Sequence, residues 1–243
     1  MENNMTAQSA VPEQPQAFGV RGWIRLSITY LLIPAVLFIC AGDLGWWQGW
    51  VYAGLILATG IVSRMWAERR HPGLMAEREQ SESASGVKAW DRVLAPLMAV
   101  SVSFPLVIVA GLDHRYGWSP AFPLWLTIVG LALIAVGYAL GAWALVENRF
   151  FSGVVRIQTE RGHVVCDSGP YRIMRHPGYA GNVLPLPGIV LGLGTVWTLI
   201  PAVVALIIIV TRTALEDRTL QEELAGYRAY AQRVRYRLFP GIW

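Results

Sequence analysis

The sequence predicts an all-α, polytopic membrane protein with about six transmembrane helices. Of its 243 residues, 54% are hydrophobic and only 15% are charged, which lies outside the usual range of soluble domains. The chain also contains 11 Trp and 9 Tyr, as expected of a protein with aromatic belts at both membrane interfaces. Its formal net charge of +4 comes from basic residues in short loops, without the basic stripe typical of nucleic-acid binding. We therefore expect a lipid bilayer, and no nucleic acid, as a partner.

The N-terminal part of the chain divides into a polar tail and an apolar region. Residues 1–20 are rich in Gln, Pro and Asn and lack the basic start of a signal peptide, so we expect a disordered tail. Residues 21–146 contain four apolar stretches of about 20 residues, the length that crosses a bilayer. We interpret this region as four transmembrane helices. The stretches are residues 23–41, 47–66, 93–112 and 121–146.

A further apolar stretch, residues 180–211, is too long for one span. Residues 192–195, Gly-Leu-Gly-Thr, lie near its middle, so we favour a hairpin of two spans that turns there. One tilted, broken helix is the alternative and would reduce the number of spans to five. After it, residues 216–237 mix apolar and charged residues and predict a cytoplasmic amphipathic helix at the interface, ending before Pro240.

Gly130, Gly137 and Gly141 recur on the fourth predicted span. Two of them are four residues apart, which is typical of helices that pack closely in a membrane. Close packing is therefore the interpretation we favour for these glycines.

The distribution of basic residues predicts the orientation. Arg and Lys accumulate before the first span, after the second, after the fourth and in the C-terminal tail. The connection after the first span has Asp43 and no basic residue, and the connection after the third has only Arg115. By the positive-inside rule both termini face the cytoplasm. Without any organelle-targeting feature, we expect a bacterial inner membrane.

The two cysteines and the acidic and histidine residues do not suggest a disulfide or a metal site. Cys40 lies in an apolar span and Cys166 in a polar loop, so we do not expect them to pair. No metal-ligand spacing is present, and we expect no metal.

A basic and aromatic segment, residues 169–179, follows the fourth span and is called the cassette below. It contains Gly169-Pro170-Tyr171 and Arg175-His176-Pro177-Gly178-Tyr179. Polar and charged groups beside membrane helices are costly unless they lie at the interface and bind a ligand. The cassette therefore predicts a binding site.

A second copy of part of this pattern, Arg70-His71-Pro72-Gly73, provides an internal comparison. It lacks the Gly-Pro-Tyr segment before it and the Tyr after it. We interpret this copy as a loop turn, and Arg-His-Pro-Gly alone as a weak signal.

Arg212 and Glu216 are four residues apart and so share one face of a helix. An ordinary ion pair between them is the simpler interpretation. However, the predicted hairpin would return them to the end of the bundle that carries the cassette. Their proximity to the cassette is what suggests a functional site.

Taken in order, these segments resemble the isoprenylcysteine carboxyl methyltransferases and the related phospholipid methyltransferases. Those families are integral membrane enzymes that use S-adenosylmethionine. The resemblance covers residues 147–243, which we interpret as a C-terminal cofactor-binding core with a transmembrane hairpin. The matching residues are 148–152, 155–158, 163–165, 169–172, 175–179, Arg212, Glu216, Asp217, Leu220, Gly226, Tyr227, Tyr230 and 237–240.

The resemblance implies a role for each matching position. Arg212 would face the methyl acceptor, and Glu216 would contact the cofactor as the second catalytic residue. Where the family has a Glu-Glu pair, this chain has Glu216-Asp217, so the role of Asp217 is open. The residues implied to bind S-adenosylmethionine are Gln158, His163, Val164, Val165, Cys166, Gly169, Tyr171, Arg175, His176, Pro177, Gly178, Tyr179 and Glu216.

The implied reaction is methyl transfer to a lipophilic acceptor. A carboxylate acceptor, which Arg212 could orient, is favoured, and an amine of a phospholipid or a small molecule is the alternative. A small transporter is disfavoured because Arg64 and Asp113, the ionisable residues within spans, lie near span ends. An NADPH-dependent membrane reductase is a more distant alternative. Gly192-Leu193-Gly194 follows no soluble strand and does not indicate a Rossmann site.

Overall fold

The computed structural model describes residues 18–81 and 84–243, and it confirms the all-helical membrane fold. The predicted tail, residues 1–20, lies almost entirely outside the described residues. Five segments of the described chain are long and apolar enough to cross a membrane: α1, α2, α4 with α5, α6, and residues Val196–Glu223, which include α9. The helices are α1 Val20–Ala41, α2 Trp47–Arg70, α3 Leu74–Gln80, α4 Asp91–Ser101, α5 Phe104–Tyr116, α6 Leu124–Glu147, α7 Pro177–Val183, α8 Pro185–Leu193, α9 Leu199–Glu223 and α10 Tyr227–Arg233.

The four predicted N-terminal spans are present, and the third is interrupted. Its two helices, α4 and α5, are separated by a turn at residues 102–103. Pro105 stands in the first turn of α5 and has no N–H to donate to the preceding turn. A single proline therefore explains the interruption, which the apolar pattern of this segment did not predict.

The last apolar stretch forms the predicted hairpin, but its first arm differs from expectation. The chain reverses at Gly194, whose φ of 68° is a left-handed conformation suited to glycine. The arm before it comprises two short helices, α7 with seven residues and α8 with nine, because α8 restarts at Pro185. The described chain thus has five long spans rather than six, because the first arm of the predicted hairpin is divided into two short helices. The alternative, one broken helix in place of the hairpin, is not formed, since the chain reverses at Gly194.

Glycines bring this first arm into close contact with α6. A Cβ on Gly130 would lie 2.1 Å from the backbone nitrogen of Gly192, and one on Gly137 would lie 2.6 Å from Pro185. One on Gly181 would lie 2.6 Å from the backbone nitrogen of Gly141. Since the numbering rises along α6 as it falls along the partner, the two run antiparallel. The close packing predicted from these glycines is confirmed.

The predicted amphipathic helix over residues 216–237 is wrong in its extent. α9 continues without interruption to Glu223, the chain turns at Gly226 with a φ of 82°, and α10 ends at Arg233, well before Pro240. The intact i to i−4 ladder of α9 keeps Arg212 and Glu216 within the last membrane segment. Both residues lie beside the cassette, since each contacts Tyr179.

Candidate active site

The cassette is held in place by the C-terminal tail. α7 begins at Pro177, directly after His176, as the proline predicts. The backbone N–H of Arg175 donates to the carbonyl of Tyr236 at 2.9 Å, and that of His176 donates to the carbonyl of Arg237 at 2.9 Å. The side chain of Arg175 donates to two further carbonyls of the tail, at Val234 and Arg235. Residues 234–237 thus fix the position of Arg175 and His176, directly before α7.

Asp217 connects the cassette to α9. Its side chain is fully buried, and it accepts hydrogen bonds from Arg175 at 2.7 and 3.0 Å and from Arg237 at 2.9 Å. His176 Nε2 lies 3.1 Å from the same carboxylate. Because the buried carboxylate of Asp217 has so many charged and polar partners, Asp217 and these partners fix one another in place. Gln221 and Tyr227 complete its set of partners.

Glu216, the neighbouring residue, has a different environment. Its carboxylate accepts a hydrogen bond from the hydroxyl of Tyr179, the last residue of the cassette. Across the described residues, no Lys, Arg or His forms an ion pair with it. Glu216 is therefore a partly buried carboxylate, held beside the cassette, whose negative charge is available to a cation.

Arg212 does not form the ion pair with Glu216 that their spacing suggests. Its Nε and Nη2 donate to the two carboxylate oxygens of Asp91 at 2.6 and 2.9 Å, and Nη2 also donates to the carbonyl of Gly153 at 2.8 Å. Among the described residues, Nη1 reaches only the sulfur of Met98, at 3.8 Å. The guanidinium carbon lies 5.5 Å from the ring centre of Tyr179. Tyr179 therefore contacts both Arg212, through its ring, and Glu216, through its hydroxyl.

Asp91 is a residue of the candidate site that the sequence analysis missed. It is the first residue of α4, is fully buried, and also accepts the backbone N–H of Val155. The available signal was an acidic residue two positions before the predicted third span. A charge at that position is usually a solvated loop residue, so nothing in its neighbourhood pointed to Arg212.

Gln158 and His163 lie together on the loop between α6 and the cassette. The buried amide of Gln158 donates to the carbonyl of Phe150 at 2.9 Å, and Arg161 donates to its oxygen. The ring of His163 lies 4.6 Å from that of Phe150. Burial and the charges of Arg156 and Arg161 lower the pKa of His163 to about 4. His163 is thus a neutral imidazole at physiological pH.

The three residues that follow His163 differ in their burial and contacts. Val164 is 54% exposed, whereas Val165 packs against the cluster that contains Leu224 and Tyr227. Cys166 is half-buried, and burial raises the pKa of its thiol. Both Cys40 and Cys166 are free, as predicted. Val165 of this strip is thus held against the C-terminal helices α9 and α10.

The Gly-Pro-Tyr start of the cassette joins α6 to α10. Gly169 has a φ of 53°, and a Cβ there would meet the side chain of Glu147 at 2.9 Å, so both backbone and space require glycine. The buried hydroxyl of Tyr171 donates to the carbonyl of Ala144 at 3.3 Å. The carbonyl of Tyr171 accepts from the hydroxyl of Tyr230 at 2.7 Å. Further along, a Cβ on Gly178 would meet the ring of Phe151 at 2.9 Å.

The second Arg-His-Pro-Gly copy is the loop turn that we predicted. It connects α2 to α3, and Gly73 has a φ of 86°. His71 Nε2 lies 3.0 Å from the carbonyl of Val146, and Arg70 pairs with Glu147 at 3.6 Å. This copy therefore braces the end of α6, on the side of the bundle that carries the cassette.

Comparisons with known proteins agree with the resemblance. Residues 125–225 match the family model described as phospholipid methyltransferase. The chain is 31% identical over 113 residues to protein-S-isoprenylcysteine O-methyltransferase B of Arabidopsis thaliana, covering 45% of this chain and 57% of that protein. It is 40% identical over 57 residues to a probable protein-S-isoprenylcysteine O-methyltransferase of Oryza sativa subsp. japonica, covering 23% of this chain and 30% of that protein.

These matches cover only part of this chain and part of each relative. The chain spans between 30% and 57% of the length of these two curated relatives. The predicted resemblance is confirmed for both methyltransferase groups: by the family model over residues 125–225 for the phospholipid methyltransferases, and by the two relatives for the isoprenylcysteine methyltransferases. Every candidate residue from Gln158 to Glu216 lies within that segment, and Asp91 lies outside it.

Proposed function

We propose that this protein, in which residues 125–225 match the phospholipid methyltransferase family, is an integral membrane enzyme that transfers a methyl group from S-adenosylmethionine to a lipophilic acceptor. The observation that carries the proposal is Glu216, a carboxylate without a cationic partner among the described residues, hydrogen-bonded to Tyr179 of the cassette. A buried charge is costly unless a partner neutralises it, and a cationic ligand would do so.

The residues around Glu216 suit S-adenosylmethionine, which bears an ammonium and a sulfonium. Glu216 would hold one of these cationic groups, and the loop residues Gln158 and 163–166 with Tyr171, His176 and Tyr179 would surround the rest. Asp217 is unsuited to this role because Arg175, His176 and Arg237 already satisfy it. When bound, the cofactor supplies an electrophilic methyl group on its sulfonium. The chain contributes mainly alignment, which can supply a large part of the acceleration of a displacement.

A carboxylate is the acceptor group that we favour. A carboxylate is already nucleophilic at neutral pH and requires orientation rather than a base. The Nη1 edge of Arg212 has only a sulfur contact and can donate to it. The relatives named isoprenylcysteine O-methyltransferases support this choice.

An amine is a second candidate, and Asp91 favours it. The bidentate pair between Asp91 and Arg212 offsets the charge of the guanidinium, and Glu216 has no ion-pair partner among the described residues. The negative charge of Glu216 attracts an ammonium group and repels a carboxylate. An ammonium must lose a proton before it attacks the methyl group, and Glu216 with Tyr179 would be the groups placed to accept it.

We place the site at the cytoplasmic face of a bacterial inner membrane. The basic residues that flank α1, α2, α6 and α9 support this orientation through the positive-inside rule. The lipophilic acceptor would reach the site from the bilayer, while the soluble cofactor would reach it from the cytoplasm.

Cofactor binding tests the proposal directly. Binding of S-adenosylhomocysteine and of NADPH to the purified, detergent-solubilised protein would be measured by calorimetry, for the parent, E216Q and a matched control, E223Q. Glu223 lies on the same helix and pairs with Lys88 near the surface. We expect the parent and E223Q to bind S-adenosylhomocysteine and E216Q to lose at least about tenfold in affinity. Equal affinity of E216Q and the parent would contradict the proposed site, and binding of NADPH alone would indicate a reductase.

The acceptor group is tested in cells. Lipid mass spectrometry of cells that produce the parent or E216Q should reveal a lipid that is heavier by one methylene only with the parent. Mild alkali releases the transferred methyl group of a methyl ester as methanol but leaves an N-methyl group on its nitrogen. Release of isotopically labelled methanol from that lipid therefore decides between a carboxylate and an amine.

A further inference from the structure

A cavity lies at the end of the bundle remote from the cassette. Its volume is about 320 Å³, within the range of small-ligand sites. Its walls come from the connections that follow α1, α5 and α8 and from the adjoining helix ends. α6 begins beside it and runs for 24 residues, roughly 36 Å, to Glu147, which accepts a hydrogen bond from Ser168 next to the cassette. The cavity is therefore separate from the candidate active site.

Asp113 gives this cavity a buried negative charge. It is 1% exposed, and it accepts hydrogen bonds from the backbone N–H and the hydroxyl of Ser119 at 2.8 and 2.6 Å and from the backbone N–H of Trp197 at 3.3 Å. These donors are neutral, and no Lys, Arg or His among residues 18–81 and 84–243 forms an ion pair with Asp113. A buried charge without a counter-charge is costly, and a cationic ligand would reduce that cost.

The other charged groups nearby do not offset Asp113. His114 also lines the cavity, but its Nε2 lies 3.0 Å from the carboxylate of Asp43, so a positive charge on this ring would be offset by Asp43. Arg115, the next residue, is exposed and does not line the cavity. In the part of the chain that the structure describes, no Lys or Arg side chain lines it. The cavity is therefore suited to a cation.

Three polar side chains that line the cavity have unused hydrogen-bonding groups. Thr127 and Trp46 are each 3% exposed, yet within the described chain neither the hydroxyl of Thr127 nor the indole N–H of Trp46 forms a hydrogen bond. The half-buried amide of Gln48 has no partner there either. Buried polar groups in native proteins are nearly always paired, so these groups indicate a ligand that carries a polar group of its own.

Aromatic rings complete the walls and distinguish between kinds of cation. The ring of His114 stacks on the indole of Trp46, with 4.0 Å between ring centres and 10° between planes, and Phe122 also lines the cavity. The faces of such rings attract ammonium groups. In the described chain, no group of three His, Cys, Asp or Glu residues is placed to hold a metal ion. One carboxylate among aromatic rings thus favours an organic ammonium over a metal ion.

We infer that this cavity binds the ammonium group of a small, water-soluble organic amine that also carries a hydroxyl. Asp113 would accept a hydrogen bond from the ammonium, while Thr127, Trp46 and Gln48 would bind the hydroxyl. The connections that form the walls lie at the ends of the spans, so the ligand would enter from the aqueous side opposite the cassette. This ligand is neither the methyl donor nor the methyl acceptor, and the inference does not depend on the proposed methyltransferase function.

A matched pair of ligands tests this cavity. Tyramine and tyrosol share an aromatic ring and a phenolic hydroxyl, but tyramine has an amine where tyrosol has an alcohol. Calorimetry would measure their affinities for the full-length protein in maltoside micelles, which are uncharged. The variants are D113N, T127V and, as a matched control, T59V, since Thr59 lies outside the cavity on α2 and its hydroxyl donates to the carbonyl of Leu55. Thermal unfolding would check the fold of each variant.

We expect the parent and T59V to bind tyramine at least about tenfold more tightly than tyrosol, because only the amine compensates the charge of Asp113. D113N should lose this preference but still bind tyrosol, and T127V should bind both ligands about fivefold more weakly. Equal affinities of the parent for the two ligands, or an unchanged preference in D113N, would overturn the inference. If D113N does not fold, T127V decides, since an affinity for tyramine equal to that of the parent would also overturn it.

Two further measurements locate the amine and identify its source. Glu216 is another carboxylate without a cationic partner in the described chain, so E216Q is measured in parallel and should bind tyramine as the parent does. Loss of tyramine binding in E216Q would assign the amine to the candidate active site and overturn the inference. Phosphatidylethanolamine carries the same ammonium group on a lipid. Competition by this lipid, but not by phosphatidylglycerol, would assign the cavity to a lipid headgroup and overturn it, whereas competition by neither lipid supports a soluble amine.

Discussion

The guanidinium of Arg212 and the carboxylate of Asp91 form a bidentate, buried ion pair between α9 and α4, 121 residues apart in the chain. The pair joins the matched C-terminal region to an N-terminal span that the family match does not include. It also decides which edge of Arg212 remains available, because only Nη1 is left without a strong acceptor. The position of Arg212 therefore depends on a residue outside the matched region.

A double-mutant cycle measures this pair. D91N, R212Q and the combined variant would be compared by equilibrium unfolding in mixed detergent micelles. Because removal of either partner leaves a buried charge, we expect each single change to cost about 3–5 kcal/mol and the double change to cost less than the sum. The Arg218–Glu222 pair on the same helix, with side chains 76% and 49% exposed, is the control and should couple much more weakly. Additive effects at Asp91 and Arg212 would show that the pair does not form.

Substitution of Asp217 should reduce the stability of the fold more than substitution of its neighbour Glu216. D217N removes the charge that Arg175, His176 and Arg237 share, and we expect a loss of about 3–5 kcal/mol in the free energy of unfolding. Thermal unfolding of the detergent-solubilised protein, followed by tryptophan fluorescence, measures this loss. D167N is the matched control because Asp167 pairs with Arg233 at the surface. Similar melting temperatures for D217N and D167N would contradict the positioning role of Asp217.

The contact between α6 and α8 predicts opposite effects of alanine at two glycines. A Cβ at Gly130 would lie 2.1 Å from the backbone of Gly192, so G130A must displace a helix and should cost about 1–3 kcal/mol. Gly54 on α2 has no atom within 4 Å of such a Cβ, so G54A should be neutral or stabilise by up to about 1 kcal/mol. The melting temperatures of the two variants provide the comparison. A stable G130A would mean that α8 does not pack against α6 as described.

His163 predicts a specific pH dependence of stability. Because its folded-state pKa of about 4 lies below its value of about 6.5 in an unfolded chain, acid protonates the unfolded chain first. The contribution of His163 is complete above about pH 6.5 and falls by at most about 1.4 kcal/mol per unit as the pH drops toward 4. H163Q lacks this titration and should lose less stability than the parent in that window. Parallel curves of melting temperature against pH for the two proteins would contradict a half-buried imidazole that is neutral in the folded protein.

Local features of the sequence predicted much of the fold. The four N-terminal spans were identified by apolar length alone because a bilayer requires about 20 apolar residues to satisfy its thickness. The reversal near Gly194 and the loop turn at Arg70-His71-Pro72-Gly73 were also predicted, since glycine and proline restrict the backbone locally. Proline also explains the two helix breaks that we did not predict, near the start of α5 at Pro105 and at the start of α8 at Pro185. Both prolines lie within apolar runs, so hydrophobic composition alone did not reveal the breaks.

Candidate residues were predicted more completely than their partners. The ordered motifs identified the cassette, Arg212 and Glu216, and the fold brings Glu216 and Asp217 to the cassette. The helical spacing of Arg212 and Glu216 suggested that they pair, whereas the structure pairs Arg212 with Asp91. Spacing reports which residues share a helix face, but it does not report which other helix packs against that face.

The sequence by itself determined the membrane class, the position of the spans and the residue types at the cassette, because these depend on hydrophobic length and local backbone chemistry. Only the tertiary structure decided that Asp217 holds the cassette together, that Glu216 is left without a cationic partner in the described chain, and that Asp91 binds Arg212. The physical reason is that a buried charge is neutralised by whichever group the packing of distant helices places beside it. The partner of each buried charge is therefore set by tertiary packing between residues that are distant in the sequence and share no local pattern.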